Sequence, residues 1–180
     1  MNSKVAIDLQ SVVGAWRVRL GTCQTGSQYI SSYLRRAKAR MSPDATTILH
    51  NRTHFRCSGT EASIEIACIS VSRLGFKKEA PYQRILSQIA KSGFKVCPAE
   101  AGPAIAGMIS TFKRRWPMTF HIAMKPLPLG DDSTGIFYVV RTPDECFPRE
   151  QYYNLCAHYC DGNSVFRPDQ SFVVVRKLKC

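Results

Sequence analysis

Pro81-Tyr82-Gln83-Arg84-Ile85-Leu86-Ser87-Gln88-Ile89-Ala90-Lys91-Ser92-Gly93 is the stretch on which the reading of the fold turns. Proline at an N-terminal helical position lacks only an N–H that the first turn leaves unpaired, and Gly93 stands just past the last periodic residue, so both ends are punctuated. Between them Tyr82, Ile85, Leu86, Ile89 and Ala90 recur at helical spacing, with Gln83, Arg84, Ser87, Gln88 and Lys91 elsewhere on the wheel. A helix with one apolar face must bury it against another layer. Upstream, residues 63–69 (Ser-Ile-Glu-Ile-Ala-Cys-Ile) alternate and are β-branched, which favours a strand. Downstream, residues 120–124, 135–141 and 171–176 are strand-like runs separated by Pro, Gly and Asp turns, as an antiparallel sheet requires. The fold class predicted is α+β: a single compact domain with an antiparallel C-terminal sheet and two to three helices.

Further out the signals weaken. Residues 5–20 alternate, with Trp16, Val18 and Leu20 on one parity and Arg17 and Arg19 on the other, which predicts one or two half-buried strands. Ser27 reads as the cap of a helix carrying Ile30, Tyr33, Leu34 and Ala37, ended by Ser42-Pro43-Asp44. Residues 46–57 read as a strand or hairpin. Ser70 caps a short helical turn over 71–74 stopped by Gly75, and this turn followed by the longer helix has a helix-turn-helix outline. Residues 104–109 are a small-residue segment. The 180 residues suit one domain over 1–180, with a division into a basic lobe (1–59) and a core lobe (60–180) as the alternative.

Charge is the strongest compositional signal. The net charge is +12, and its distribution is uneven: +7 over residues 1–56, +6 over 57–130 and −1 over 131–180. A field of that sign attracts polyanions, nucleic acid foremost, with acidic proteins or lipid surfaces next. The candidate nucleic-acid-binding residues are Arg17, Arg19, Arg35, Arg36, Lys38 and Arg40, then Lys113, Arg114, Arg115 and Trp116. Lys and Arg neutralise phosphates, and Trp116, like Trp16, Tyr33 and Phe112, offers a ring to an unpaired base. No stretch approaches the ~20 apolar residues of a membrane span. Asp8 and Gln10 interrupt any secretory core, so the eight cysteines are expected reduced and the protein cytoplasmic.

Other constellations carry chemistry in principle. Cys146, Cys156, His158 and Cys160, with Cys180, are the one dense set of soft ligands, but zinc knuckles favour C-x2-C pairs and here the close pair is C-x3-C, so packing thiols on a helix face or turn are preferred and no metal or cofactor is expected. Cys97, followed by Pro98 and Glu100, makes a nucleophile only if His50, His54, His121 or His158 approaches it. Asp131-Asp132, between two strand runs, reads as a solvated hairpin turn before it reads as a cation site. Phosphate-loop, dinucleotide and His-Glu-x-x-His patterns do not occur.

From Thr60 onward the order Glu-x-x-Ile-Glu-Ile, Ser-Val-x-x-Leu-Gly-Phe (70–76), Cys97-Pro98-Ala99-Glu100-x-Gly102-Pro103-Ala104, Ile-Ala-Met-x-Pro-Leu (122–127) and the closing Phe-x-Pro-Asp-x-x-Phe-Val-x-x-Arg-Lys (166–177) resembles a set of uncharacterised bacterial proteins. The resemblance implies one fold unit from about residue 60 onward and brings no catalytic residue with it. The expectation for function is a non-enzymatic module that binds nucleic acid or a nucleoprotein. The alternatives are a small enzyme or toxin-like effector using Cys97 or His121, and a factor docking an acidic partner protein.

Overall fold

The computed structural model describes residues 13–34, 40–108, 117–130, 132–143 and 151–176. In chain order these form β1 (Val13–Leu20), α1 (Gly26–Gln28) running into a π-helical segment (Tyr29–Leu34), β2 (Arg40–Met41), α2 (Pro43–His50), β3 (Ala62–Ser70), β4 (Ala80–Pro81), α3 (Tyr82–Lys91), β5 (Phe94–Lys95) and α4 (Ala101–Met108). Then follow β6 (Thr119–Ile122), β7 (Leu127–Gly130), β8 (Ser133–Pro143), β9 (Gln151–Tyr159), β10 (Val165–Phe166) and β11 (Ser171–Arg176). The class is α+β. Nine strands form one sheet of order β1-β3-β11-β6-β8-β9-β2, with β5 added to β11 and β7 to β8, while β4 and β10 make a small separate ribbon.

The sheet is mixed, which corrects the antiparallel expectation. β11 runs parallel to β6, and β2 runs parallel to β9. The cause is topological: β11 inserts between β3 and β6 after an excursion through β7 to β10, and so arrives in the direction of β6.

Register assigns the two faces. Val18 lies opposite Ile64, Ile66 opposite Val175, Val173 opposite Ile122, and Val139 opposite both Phe120 and Leu155, so these residues share one face. That face is covered by residues 26–34, α2 and α4; Gly102 of α4 lies so close on the Phe137 ring that any side chain there would overlap it. The other face is only partly covered by the described residues. α3 lies on it, with the Tyr82 ring stacked 5.8 Å from Phe172 and the Tyr82 hydroxyl donating to Met124 O at 2.7 Å. Tyr82, Ile85 and Ile89 are buried as the periodicity predicts, Leu86 is half-buried and Ala90 is exposed.

Several expectations change. Ser42-Pro43-Asp44 begins a helix instead of ending one: Ser42 Oγ accepts from Ala45 N at 3.2 Å, Pro43 occupies the first turn, and the predicted strand over 46–57 is replaced by α2. The preceding helix is capped by Thr25, not Ser27. Residues 71–75 close a turn with Gly75 at φ +97°, and β4 follows, so the helix-turn-helix outline has no first helix. Residues 151–159, expected as a helix face or turn, form β9. The small-residue helix α4 starts earlier, at Ala101. Among the described residues no helix is long and apolar enough to cross a membrane.

Candidate nucleic-acid interface

Three of the ten candidate residues, Arg17, Arg19 and Arg40, are described; Arg35, Arg36, Lys38, Lys113, Arg114, Arg115 and Trp116 lie outside the described residues. Arg17 stands opposite Glu65 on β3, and Arg19 shares its parity while Val18 and Leu20 are buried beneath. Arg40 stands opposite Asn154, which stands opposite Val140 on β8. Carrying the parity across each pair puts Arg17, Arg19 and Arg40 on the same face, the one that α3 only partly covers. They do not form one cluster. β1 and β2 are the two ends of the strand order, six strand spacings or about 29 Å apart measured along the sheet. Glu65, the carboxylate nearest Arg17 in register, is already engaged by Arg176 at 3.0 Å.

Between these edges the face carries a row that the sequence reading did not identify as a site. Phe172 pairs with His121, His121 with Tyr138, and Tyr138 with Cys156. The row grades outward: Phe172 is fully buried, His121 is 6% exposed, and Tyr138 and Cys156 are half-buried. Half-buried His158 flanks it, with its ring 5.2 Å from those of both His121 and Tyr138, and Phe166 packs 5.0 Å from His121. Burial, then the neighbouring His158, pulls the His121 pKa down to about 3, and burial lowers His158 as well. Both rings are therefore neutral at pH 7. Burial, then the Cys156 thiol and the more distant Asp44 carboxylate, pushes the Tyr138 phenol up to about 12.

The His121 tautomer follows from its neighbours. Gln170 Oε1 accepts from Arg167 N at 2.6 Å, which orients the amide so that Gln170 Nε2 faces His121 Nε2 at 3.3 Å. An amide NH2 only donates, so His121 Nε2 must accept and the ring proton sits on Nδ1. That Nδ1–H is buried and has no hydrogen-bond partner among the described residues.

The other candidates are placed differently. Cys97 is buried, its thiol donates to Val173 O at 3.4 Å, and burial raises its pKa well above the usual thiol range. Glu100 does not serve it: the fully buried carboxylate accepts from Gly21 N at 2.7 Å and Tyr29 Oη at 2.5 Å on one oxygen, and from Ser58 N at 2.7 Å on the other. It thus ties the end of β1 and the loop before β3 to the start of α4. Cys156 and His158 share a face of β9, Cys160 is buried with its thiol pushed up to about 12 by burial, and Cys146 and Cys180 lie outside the described residues. Among the described residues no three His, Cys, Asp or Glu side chains converge on a metal position. Asp132, at φ +58°, sits in the two-residue turn between paired Gly130 and Ser133, as the hairpin reading expects; Asp131 lies outside the described residues.

A signal for the row is present in the sequence. Tyr138 lies between Phe137 and Val139, and Cys156 and His158 alternate with Leu155 and Ala157, so one parity carries polar or aromatic groups and the other apolar ones. Comparisons with protein-family models, with curated proteins and with solved structures found no match, and the functional reading therefore rests on this geometry.

Proposed function

We propose that the chain is a non-enzymatic binding module that takes a single nucleic-acid strand across the partly open face of its sheet. The observation that carries this reading is the placement of Arg17, Arg19 and Arg40 on one face, at its two edges, with the half-buried rings of Tyr138 and His158 between them. Cations that track phosphates and rings that accept unpaired bases are the two elements of single-strand binding. Exposed Arg84 and Lys91 on α3 continue the positive path over the covered part of the face. The acids of the basic two-thirds offer less opposition than their number suggests, because Glu100 is buried beneath three donors and Glu65 is paired with Arg176. A cytoplasmic setting, with nucleic acid or nucleoprotein as partner, is part of the same reading.

The test is fluorescence anisotropy with a labelled single strand of mixed sequence and the matching duplex, across a salt series. Three phosphate contacts imply a slope near −2 in log K against log salt, a loss of about 20-fold between about 50 and 200 mM. Arg17→Ala with Arg19→Ala should flatten that slope. Absence of binding at low salt, or binding indifferent to salt, overturns the reading. Displacement by an acidic protein at matched charge concentration favours a protein partner instead.

A further inference from the structure

The row through His121 supports a narrower statement, which rests on the nucleic-acid reading above. We infer that Tyr138, His158 and His121 form a seat for one unpaired nucleobase: the base stacks on the half-buried rings, and His121 Nδ1–H donates to an acceptor atom on its edge.

Three observations lead there. The first is the buried Nδ1–H. Gln170 fixes His121 as the tautomer that donates at Nδ1, and among the described residues nothing accepts that hydrogen. A buried donor without an acceptor is destabilising, and sites of this kind become favourable when a ligand brings the acceptor. The second is the direction of access. Of the rings packed on His121, Phe166 and Phe172 belong to the core, whereas Tyr138 and His158 are half-buried, so a ligand approaches over those two. Nδ1 is buried in the free protein, so seating a base there requires one of these two rings to move aside.

The third observation is charge. The two imidazoles meet edge to face, 5.2 Å between ring centres, and among the described residues their neighbours include the Tyr138, Phe166 and Phe172 rings and the Gln170 amide, with the Cys156 thiol beside Tyr138. Two neutral rings in that setting offer no cation to a phosphate. Asp44 acts on Tyr138 from the start of α2 and opposes an anion there. The floor therefore suits the uncharged, flat, acceptor-edged part of a nucleotide, and the phosphates fall to the arginines at the edges.

A strand of abasic sites, which keeps the phosphates and lacks the bases, separates this inference from the broader reading. Oligo(dT) should bind about tenfold tighter than the abasic strand of equal length at one salt concentration, the scale of one stacked base. His121→Phe keeps a ring of similar size and removes the N–H; it should narrow the difference between the two strands and leave the salt slope unchanged. In the wild-type protein, long-range 1H–15N spectra should show His121 protonated at Nδ1, with its nitrogens shifting on addition of oligo(dT) and staying still with the abasic strand. Equal affinity for the two strands, or His121 signals unmoved by oligo(dT), overturns the base seat while the electrostatic reading survives. Failure of both strands to bind overturns both. If His121→Phe does not fold, the affinity ratio and the spectra of the wild-type chain still decide.

Discussion

Acid should unfold this protein through His121, and the size of the effect can be worked from its surroundings. In the unfolded chain the ring takes a proton near pH 6.5; in the folded protein, enclosed by Phe166, Phe172, Tyr138 and neutral His158, it does so only near 3. The unfolded state therefore binds the proton first as pH falls. Stability is intact above about pH 6.5 and drains away as the pH drops towards 3. Between pH 7 and pH 5 the loss from this one group is about 2 kcal/mol, or roughly 4–8 °C in midpoint for a chain of this size. The assay is urea or thermal unfolding at a series of pH values, comparing the native sequence with His121→Phe. Titration of the remaining groups is common to both proteins and largely cancels. The variant should be the less acid-sensitive by that amount. Equal acid sensitivity would refute the reasoning, because it would mean that His121 is solvated or already charged in the folded state.

Three further outcomes follow from the packing. Glu100→Gln replaces a group that accepts at both oxygens by one that accepts at one, which leaves a buried donor among Gly21, Tyr29 and Ser58 unsatisfied; urea unfolding should show a loss of about 2–4 kcal/mol. Gly26→Ala places a methyl group onto the Leu49 carbonyl oxygen, a backbone atom that cannot step aside, and should cost at least about 2 kcal/mol in the same measurement. Cys97 should resist a thiol reagent at neutral pH in the folded protein and react once urea is added, followed by mass spectrometry; fast native labelling would contradict its burial and its raised pKa.

What the sequence discloses is the part of the fold that each segment decides for itself. The α3 helix and the strands β3, β8 and β11 have clean periods and punctuated ends, and they stand within a residue or two of where those patterns put them. α2 was misread because Thr46 and Thr47 suggest a strand; in the helix their hydroxyls donate back to Ser42 O and Pro43 O, each at 3.1 Å, and the Ser-Pro-Asp before them is a start signal. β9 was misread because its aromatics and thiols fit a helix wheel as well as a strand. The row of His121, Tyr138 and Cys156 was out of reach for a different reason. It exists only through the pairing of β6 with β8 and of β8 with β9, and the choice among such pairings depends on strands far apart in the chain. Glu100 was legible as an unusual acid beside Cys97, yet its three partners come from residues 42 to 79 positions away.

The position of β11 bears on how the chain comes together in time. The strand is bordered by β3 on one side and by β5 and β6 on the other, so the centre of the sheet lacks its middle plank until residues 171–176 are in place. A nascent chain halted before that point would hold two unjoined half-sheets whose facing edges invite foreign strands. Contacts of such long sequence separation also favour slow folding, so those edges stay exposed for longer until the plank is inserted.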